Sequence, residues 1–180
     1  MLFLTNEHIQ QVLDMGTCLA VMEDAYRELN EQHAAYRPRI DFYVPQDPHY
    51  YRWGTMEGAS RKLGVFAIRM KSDMLAWERQ GDFEVEDKYC MERGTYCGLI
   101  FLFSVRSGAP LCLMNDGYLQ HMRVGACAGL GAKYLSRPES KTLGMLGSGG
   151  MARTYASAIC QVRGIEKIRV FSPTRANREN

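Results

Sequence analysis

The most constraining feature of this sequence is a short apolar run that leads straight into a glycine loop and then into a helix. Thr142-Leu143-Gly144-Met145-Leu146 is followed by Gly147-Ser148-Gly149-Gly150-Met151-Ala152, and a helical pattern continues to about Arg163. In a strand, G-x-G-x-x-A, helix layout, the first glycine permits the tight turn and the second lets the backbone approach a pyrophosphate. The small residue at the end allows close helix–strand packing. Free N–H groups at the helix start then face the phosphates. Gly147, Ser148, Gly149, Gly150, Met151 and Ala152 are therefore the expected cofactor-binding residues, with a purely structural turn as the competing reading.

A second strand pattern, Lys167-Ile168-Arg169-Val170-Phe171, completes a βαβ unit. Its end is where a dinucleotide fold selects the adenosine ribose, and an acidic residue there would accept from the 2′-hydroxyl. This chain has Ser172-Pro173-Thr174-Arg175 instead, with Arg178 following. Ser172, Thr174 and Arg175 suit a 2′-phosphate through charge-assisted hydrogen bonds. The expectation is NADP(H) over NAD(H); the competing reading makes the arginines solvated charges at a helix start.

Upstream, 180 residues at 46% hydrophobic and 23% charged content are enough for a packed core and exclude a disordered or low-complexity chain. A net charge of +2 gives no reason to expect nucleic acid or an anionic membrane surface as partner. The six cysteines form no CxxC pair or Cys/His cluster, so no metal site is expected. With neither a secretory pattern nor a long apolar run, a reducing cytoplasm with free thiols is the expected setting.

Residues 6–35 read as two helices separated at Gly16-Thr17, with Thr17 as N-cap. From Arg37, the prolines 38, 45 and 48 suggest extended chain and turns. Strands are expected at 50–56, 63–70, 96–104 and 110–115, the last two joined by Arg106-Ser107-Gly108 as a hairpin. Charge-rich Trp77–Gly94 reads as a surface loop. Residues 119–135 form a helix whose Ala and Gly at 125, 126, 128, 129 and 131 would admit a close neighbour. The boundary falls within 116–138, giving a domain at 1–118 and a second beginning at 119–180.

The order of these features resembles the ornithine cyclodeaminase and mu-crystallin family. It is most evident from Gly108 to Ala152, where Asp116-Gly117, Arg123, Ala132-Lys133-Tyr134-Leu135-Ser136-Arg137-Pro138 and the glycine loop follow the family order. The resemblance implies an α/β chain: an N-terminal α+β substrate and dimerisation domain, then the first βαβ unit of a Rossmann dinucleotide-binding domain. It further implies a homodimer and hydride exchange at the Cα–N bond of an amino acid or cyclic imine, as a cyclodeaminase, dehydrogenase or ketimine reductase. By the same resemblance, Arg39 and Arg123 bind the substrate carboxylate and Thr95 lies beside the nicotinamide.

Two departures from the family pattern matter. Where the family usually has a lysine, this sequence has Arg69, which can hold a carboxylate but is a poor general base. Lys71 is two residues on, hence on the same face of a strand, and could supply the missing amine. A different amino-acid or imine substrate from ornithine is therefore expected. The family's catalytic aspartate belongs to the second half of the dinucleotide domain, beyond Asn180. The chain is thus expected to be a piece of a longer protein, binding cofactor weakly and without turnover on its own. Open alternatives are a non-catalytic, crystallin-like binder of NADP and a small molecule, and an inactive dimerisation module.

Overall fold

Period-two alternation between Ala34 and Asn115 produces longer strands than the prolines and charges suggest. The computed structural model describes residues 1–173 and 175–179. It divides into two units, Met1–His8 with Glu28–Gly117, and Ile9–Arg27 with Tyr118–Asn180. The expected residue Thr174 lies outside the described residues.

The first unit is a seven-stranded sheet. Its strands are β1 (Leu2–Leu4), β2 (Ala34–Gln46), β3 (His49–Ser60), β4 (Val65–Gln80), β5 (Phe83–Tyr89), β6 (Cys97–Ser104) and β7 (Pro110–Asn115). The order is β1-β7-β6-β4-β3-β2, with β5 also paired to β4. β1 runs parallel to β7 and the other pairs are antiparallel.

Pro38 and Pro45 do not break β2, because it is the outermost strand and a bulge between Arg37 and Ile40 takes up the irregularity. The expected loop at Trp77–Gly94 is instead largely a hairpin. β4 continues to Gln80, turns at Gly81 (φ 65°) and returns as β5 with Gln80 opposite Phe83. Its charges decorate an exposed ribbon, as in the Arg93–Glu78 pair at 2.5 Å, and the Phe83-Glu84-Val85-Glu86 alternation was the overlooked signal. The hairpin at 106–108 forms as expected, with Gly108 at φ 72°.

The second unit contains most of α1 (Asn6–Val12) and α2 (Met15–Asn30), then α3 (Gly117–Leu135), β8 (Thr142–Leu146), α4 (Ala152–Val162), β9 (Lys167–Phe171) and α5 (Arg175–Glu179). Its core joins Met15, Cys18 and Leu19 of α2, Met122, Ala126 and Leu130 of α3, and Ala158 of α4. Residues 9–27 thus pack with 118–180 rather than with the sheet that precedes residue 118, because their apolar stripe is covered by α3 and α4. Asp14, not Thr17, caps α2: its carboxylate accepts the Thr17 N–H at 2.7 Å and the Thr17 hydroxyl at 3.0 Å.

α3 and α4 touch through small residues. A Cβ on Gly125 would lie 2.7 Å from the Thr154 carbonyl oxygen, and one on Gly129 would lie 2.8 Å from the Ala158 Cβ. Arg163, just past α4, donates to the Lys133 carbonyl at 2.6 Å and the Ser136 carbonyl at 3.0 Å, satisfying acceptors at the end of α3. β8 and β9 pair in parallel, Thr142 opposite Lys167 through Leu146 opposite Phe171, with α4 as the crossover.

Candidate functional sites

Each unit carries one candidate site. In the sheet, strand register alone assembles a row running Asp41, Gly54, Lys71, Gly98 across β2, β3, β4 and β6. Period two puts Arg69 and Asp73 on the same side of β4 as Lys71, and Arg52 and Met56 on the same side of β3 as Gly54. Lys71 therefore stands between two positions without side chains, on a strand that offers guanidinium, ammonium and carboxylate in turn.

The ion pairs on this face fix the cations. Arg69 donates to the Asp116 carboxylate at 2.6 Å from Nε, the two side chains being 13% and 2% exposed. Arg52 donates to the buried Asp73 carboxylate, whose other oxygen lies 3.3 Å from the Lys71 ammonium. Burial opposes the Arg52 charge, but Asp73 more than offsets it and holds the arginine's pKa above its ordinary value. Arg39 is held by Asp41 at 2.6 Å. The glycines make room for the carboxylates: a Cβ on Gly98 would come within 2.7 Å of Asp116 Oδ2, and one on Gly54 would collide with the Asp41 carboxylate.

Sequence reasoning named Arg39, Arg69 and Lys71 as candidates but not the acids that hold them. Asp73 was visible in the Arg69-x-Lys71-x-Asp73 alternation. Asp116 lies 47 residues from Arg69 and has no local signal, since only the sheet order brings them together.

Beside Gly98 opens a cavity of about 550 Å³ lined by Cys90, Thr95, Cys97, Asn115 and Gly117, among others. The Thr95 hydroxyl donates back into its own turn, to the Cys90 carbonyl and to the Glu92 carbonyl at 2.6 Å. Its oxygen lone pairs remain as acceptors.

In the other unit, the β8–α4 loop has the form that phosphate binding requires. Gly147 adopts φ 100°, and its N–H donates to the Phe171 carbonyl at 2.7 Å, joining the ends of the two strands. No side chain caps α4: Met151 occupies the N-cap and has none to offer. Nothing lies within 4 Å of a Cβ placed on Gly149. The Ser148 hydroxyl oxygen is buried and unpartnered. It borders a cavity of about 480 Å³ that Ala152, Ile168, Val170 and Arg178 also line. Gly150 and Met151 complete the loop, and His121 of α3 reaches within 3.5 Å of a Cβ on Gly150. These features fit a dinucleotide: a helix start that no side chain caps, open space over a glycine, and an unsatisfied hydroxyl.

Past β9, Ser172 is buried, while Arg175 is tied at 2.6 Å to Glu179 one helical turn on. Arg123, on α3, is half-buried; its charge bears on Cys18 and on Tyr26, whose hydroxyl is 3.3 Å from Cys127 Sγ. Among the described residues, no group of three or more His, Cys, Asp or Glu could hold a metal ion. No helix is long and apolar enough to cross a membrane.

A charged, glycine-flanked sheet face and a strand–glycine loop–helix–strand turn in one mixed α/β chain define a small class of folds. Residues 83–180 match the model of the ornithine cyclodeaminase/mu-crystallin family, and the chain belongs to that family. It is 40% identical over 80 residues to Δ1-pyrroline-2-carboxylate reductase of Bacillus cereus, covering 44% of this chain and 25% of that protein. To alanine dehydrogenase of Archaeoglobus fulgidus it is 34% identical over 170 residues, 94% of this chain and 48% of the relative.

The fold superposes on Thermococcus litoralis Δ1-pyrroline-2-carboxylate reductase, solved with NADH and L-proline, at a TM-score of 0.81 and 26% identity, covering 99% of this chain and 51% of that one. It matches the fold of the iminosuccinate reductase of Paracoccus denitrificans, solved with NAD+, equally well, at TM-score 0.81 and 17% identity, covering 99% and 52%. The chain thus spans about half the length of these structures and between a quarter and half of the curated relatives.

Proposed function

We propose that this chain carries the substrate-carboxylate receptacle and the first βαβ unit of a Rossmann dinucleotide-binding domain in an enzyme that exchanges hydride at the Cα–N bond of an amino acid or imine. The observation that carries the reading is the Gly54–Lys71–Gly98 row with Arg69 beside it, a row of cations held by carboxylates whose Gly98 end borders the cavity of about 550 Å³. A bound nicotinamide dinucleotide supplies or accepts the hydride.

The chain's own residues bind and orient. Arg69 and Arg39, each held by an aspartate, take a carboxylate by parallel N–H donation. Asp116 fixes Arg69 so that little rotamer freedom is lost on binding. Lys71 Nζ, poised against Asp73, holds or moves the proton at the substrate nitrogen or carboxylate, while Thr95 Oγ1 accepts from a carboxamide N–H. Arg123 is a further carboxylate ligand on the family resemblance. At the glycine loop, backbone N–H groups and the Ser148 hydroxyl take the phosphates.

Ser172, Thr174 and Arg175 favour a 2′-phosphate, with Arg178 better aimed than Arg175 because it already borders the loop cavity. Parallel titrations with NADPH and NADH test this: tighter NADPH binding is expected, and equal affinity removes the argument. In the whole protein, nicotinamide absorbance followed with L-proline, L-alanine, L-ornithine and cyclic imines tests the chemistry. Turnover with one of these, falling at least about 100-fold in Lys71→Met, is expected; undiminished turnover in both Lys71→Met and Arg69→Met would overturn the reading.

A further inference from the structure

The hairpin β4–β5 and the strand β6 use the same edge of β4 in succession. Tyr89 is opposite Met74 and Cys97 is opposite Ser72, so the chain leaves that edge just before Cys90 and rejoins it at Cys97. Between them residues 90–96 form a tight turn: the Cys90 N–H donates to the Thr95 carbonyl at 2.9 Å, and the Glu92 N–H to the Cys90 carbonyl at 2.8 Å. The turn places two half-buried thiols on the wall of one cavity, the backbone of Cys90 being paired with Thr95, two residues short of Cys97.

The remaining cysteines are placed differently. Cys18 and Cys112 are buried in apolar surroundings, Cys127 is engaged by the Tyr26 hydroxyl, and Cys160 is exposed on α4.

We propose that Cys90 and Cys97 form a reversible disulfide that pins the 90–97 turn and narrows the cavity beside Gly98. The step balances with a low-molecular-weight disulfide as oxidant. The Cys90 thiolate attacks one sulfur of that disulfide and expels a thiolate. Cys97 Sγ then attacks the Cys90 sulfur of the mixed disulfide and expels the second thiolate. Two thiols of the protein are oxidised, two hydrogens leave as protons, and the external disulfide is reduced to two thiols.

The order of attack follows from the surroundings. Burial, and next the neighbouring Cys90 thiol, push the Cys97 pKa up, so Cys97 suits the resolving step, in which proximity compensates for a small thiolate fraction. Closure is geometrically cheap because the Thr95 hydrogen bonds already hold the turn shut. The inference is independent of the proposed catalytic reading.

The test uses the intact chain, incubated with glutathione disulfide without denaturant, alkylated and mapped by mass spectrometry. A single Cys90–Cys97 cross-linked peptide with the loss of two hydrogens, reversed by dithiothreitol, is expected. Amide exchange across 91–96 should slow in the oxidised form. In Cys97→Ser, Cys90 should instead retain a glutathione adduct. Alkylation of both Cys90 and Cys97 after Cys160 has reacted with the oxidant overturns the proposal, as does a cross-link between any other pair.

Discussion

Asp116 shows how a single side chain can set the character of a site without being a candidate ligand. Its carboxylate is 2% exposed, lies over a glycine that leaves it room, and is ion-paired with Arg69. Removing one member of a buried ion pair leaves the other uncompensated, so Asp116→Ala should destabilise the protein by about 3 kcal/mol in urea denaturation. Arg69→Met combined with Asp116→Leu should recover most of that loss, because the pair is then replaced by apolar groups of similar volume. Equal losses in the single and double variants would mean that the pair does not hold the face together. The residues proposed to meet a substrate were legible through the family resemblance, Arg39 and Arg69 by matching family positions and Lys71 by lying two residues on from Arg69 along a strand. Their aspartate partners were less legible, because an acid becomes a partner only through register, and Asp116 reaches Arg69 only after β6 and β7 have folded onto β4.

At the scale of elements, local signals carried furthest where the backbone has few choices. Gly147 at φ 100° and the parallel pairing of β8 with β9 follow from the glycine spacing and two short apolar runs. The 77–94 segment did not yield to the same reasoning, because its surface charges masked a period of two. The close contact of α3 with α4 was readable from the glycine and alanine run in α3, though its partner was not. Gly125→Val should cost about 2 kcal/mol or more, since its side chain would meet the Thr154 carbonyl and α4 cannot move without disturbing Ala158. Thermal unfolding of that variant against Gly131→Ala, where nothing lies within 4 Å, separates packing from helix propensity.

The α2 cap makes a pH-dependent prediction. Hydrogen bonds from Thr17 hold the Asp14 pKa below its ordinary carboxyl value. A depressed folded-state pKa gives stability that is complete above the ordinary value and is lost as the pH falls through the folded one. Asp14→Ala should therefore lower the melting temperature at neutral pH, and the gap from wild type should close at strongly acidic pH. A gap independent of pH would mean that the Asp14 carboxylate is not the cap.

At the scale of the molecule, the two faces of the sheet differ in chemistry. The rows alternating with the charged one run Phe42–Trp53–Ser72 and Ile40–Thr55–Met70–Leu99, a largely apolar surface on which Phe42 is 64% exposed.

Length and composition allow a free-standing domain; the proposed arrangement is a substrate-binding sheet joined to a dinucleotide-binding unit. NADH titration, followed by nicotinamide fluorescence, tests that assignment most directly in the wild-type chain and in Gly149→Trp. The indole would project into open space over the loop, leaving the fold intact while blocking a pyrophosphate. Saturable binding that disappears in Gly149→Trp is the expected result; the same affinity in both proteins would contradict the glycine loop as the dinucleotide site.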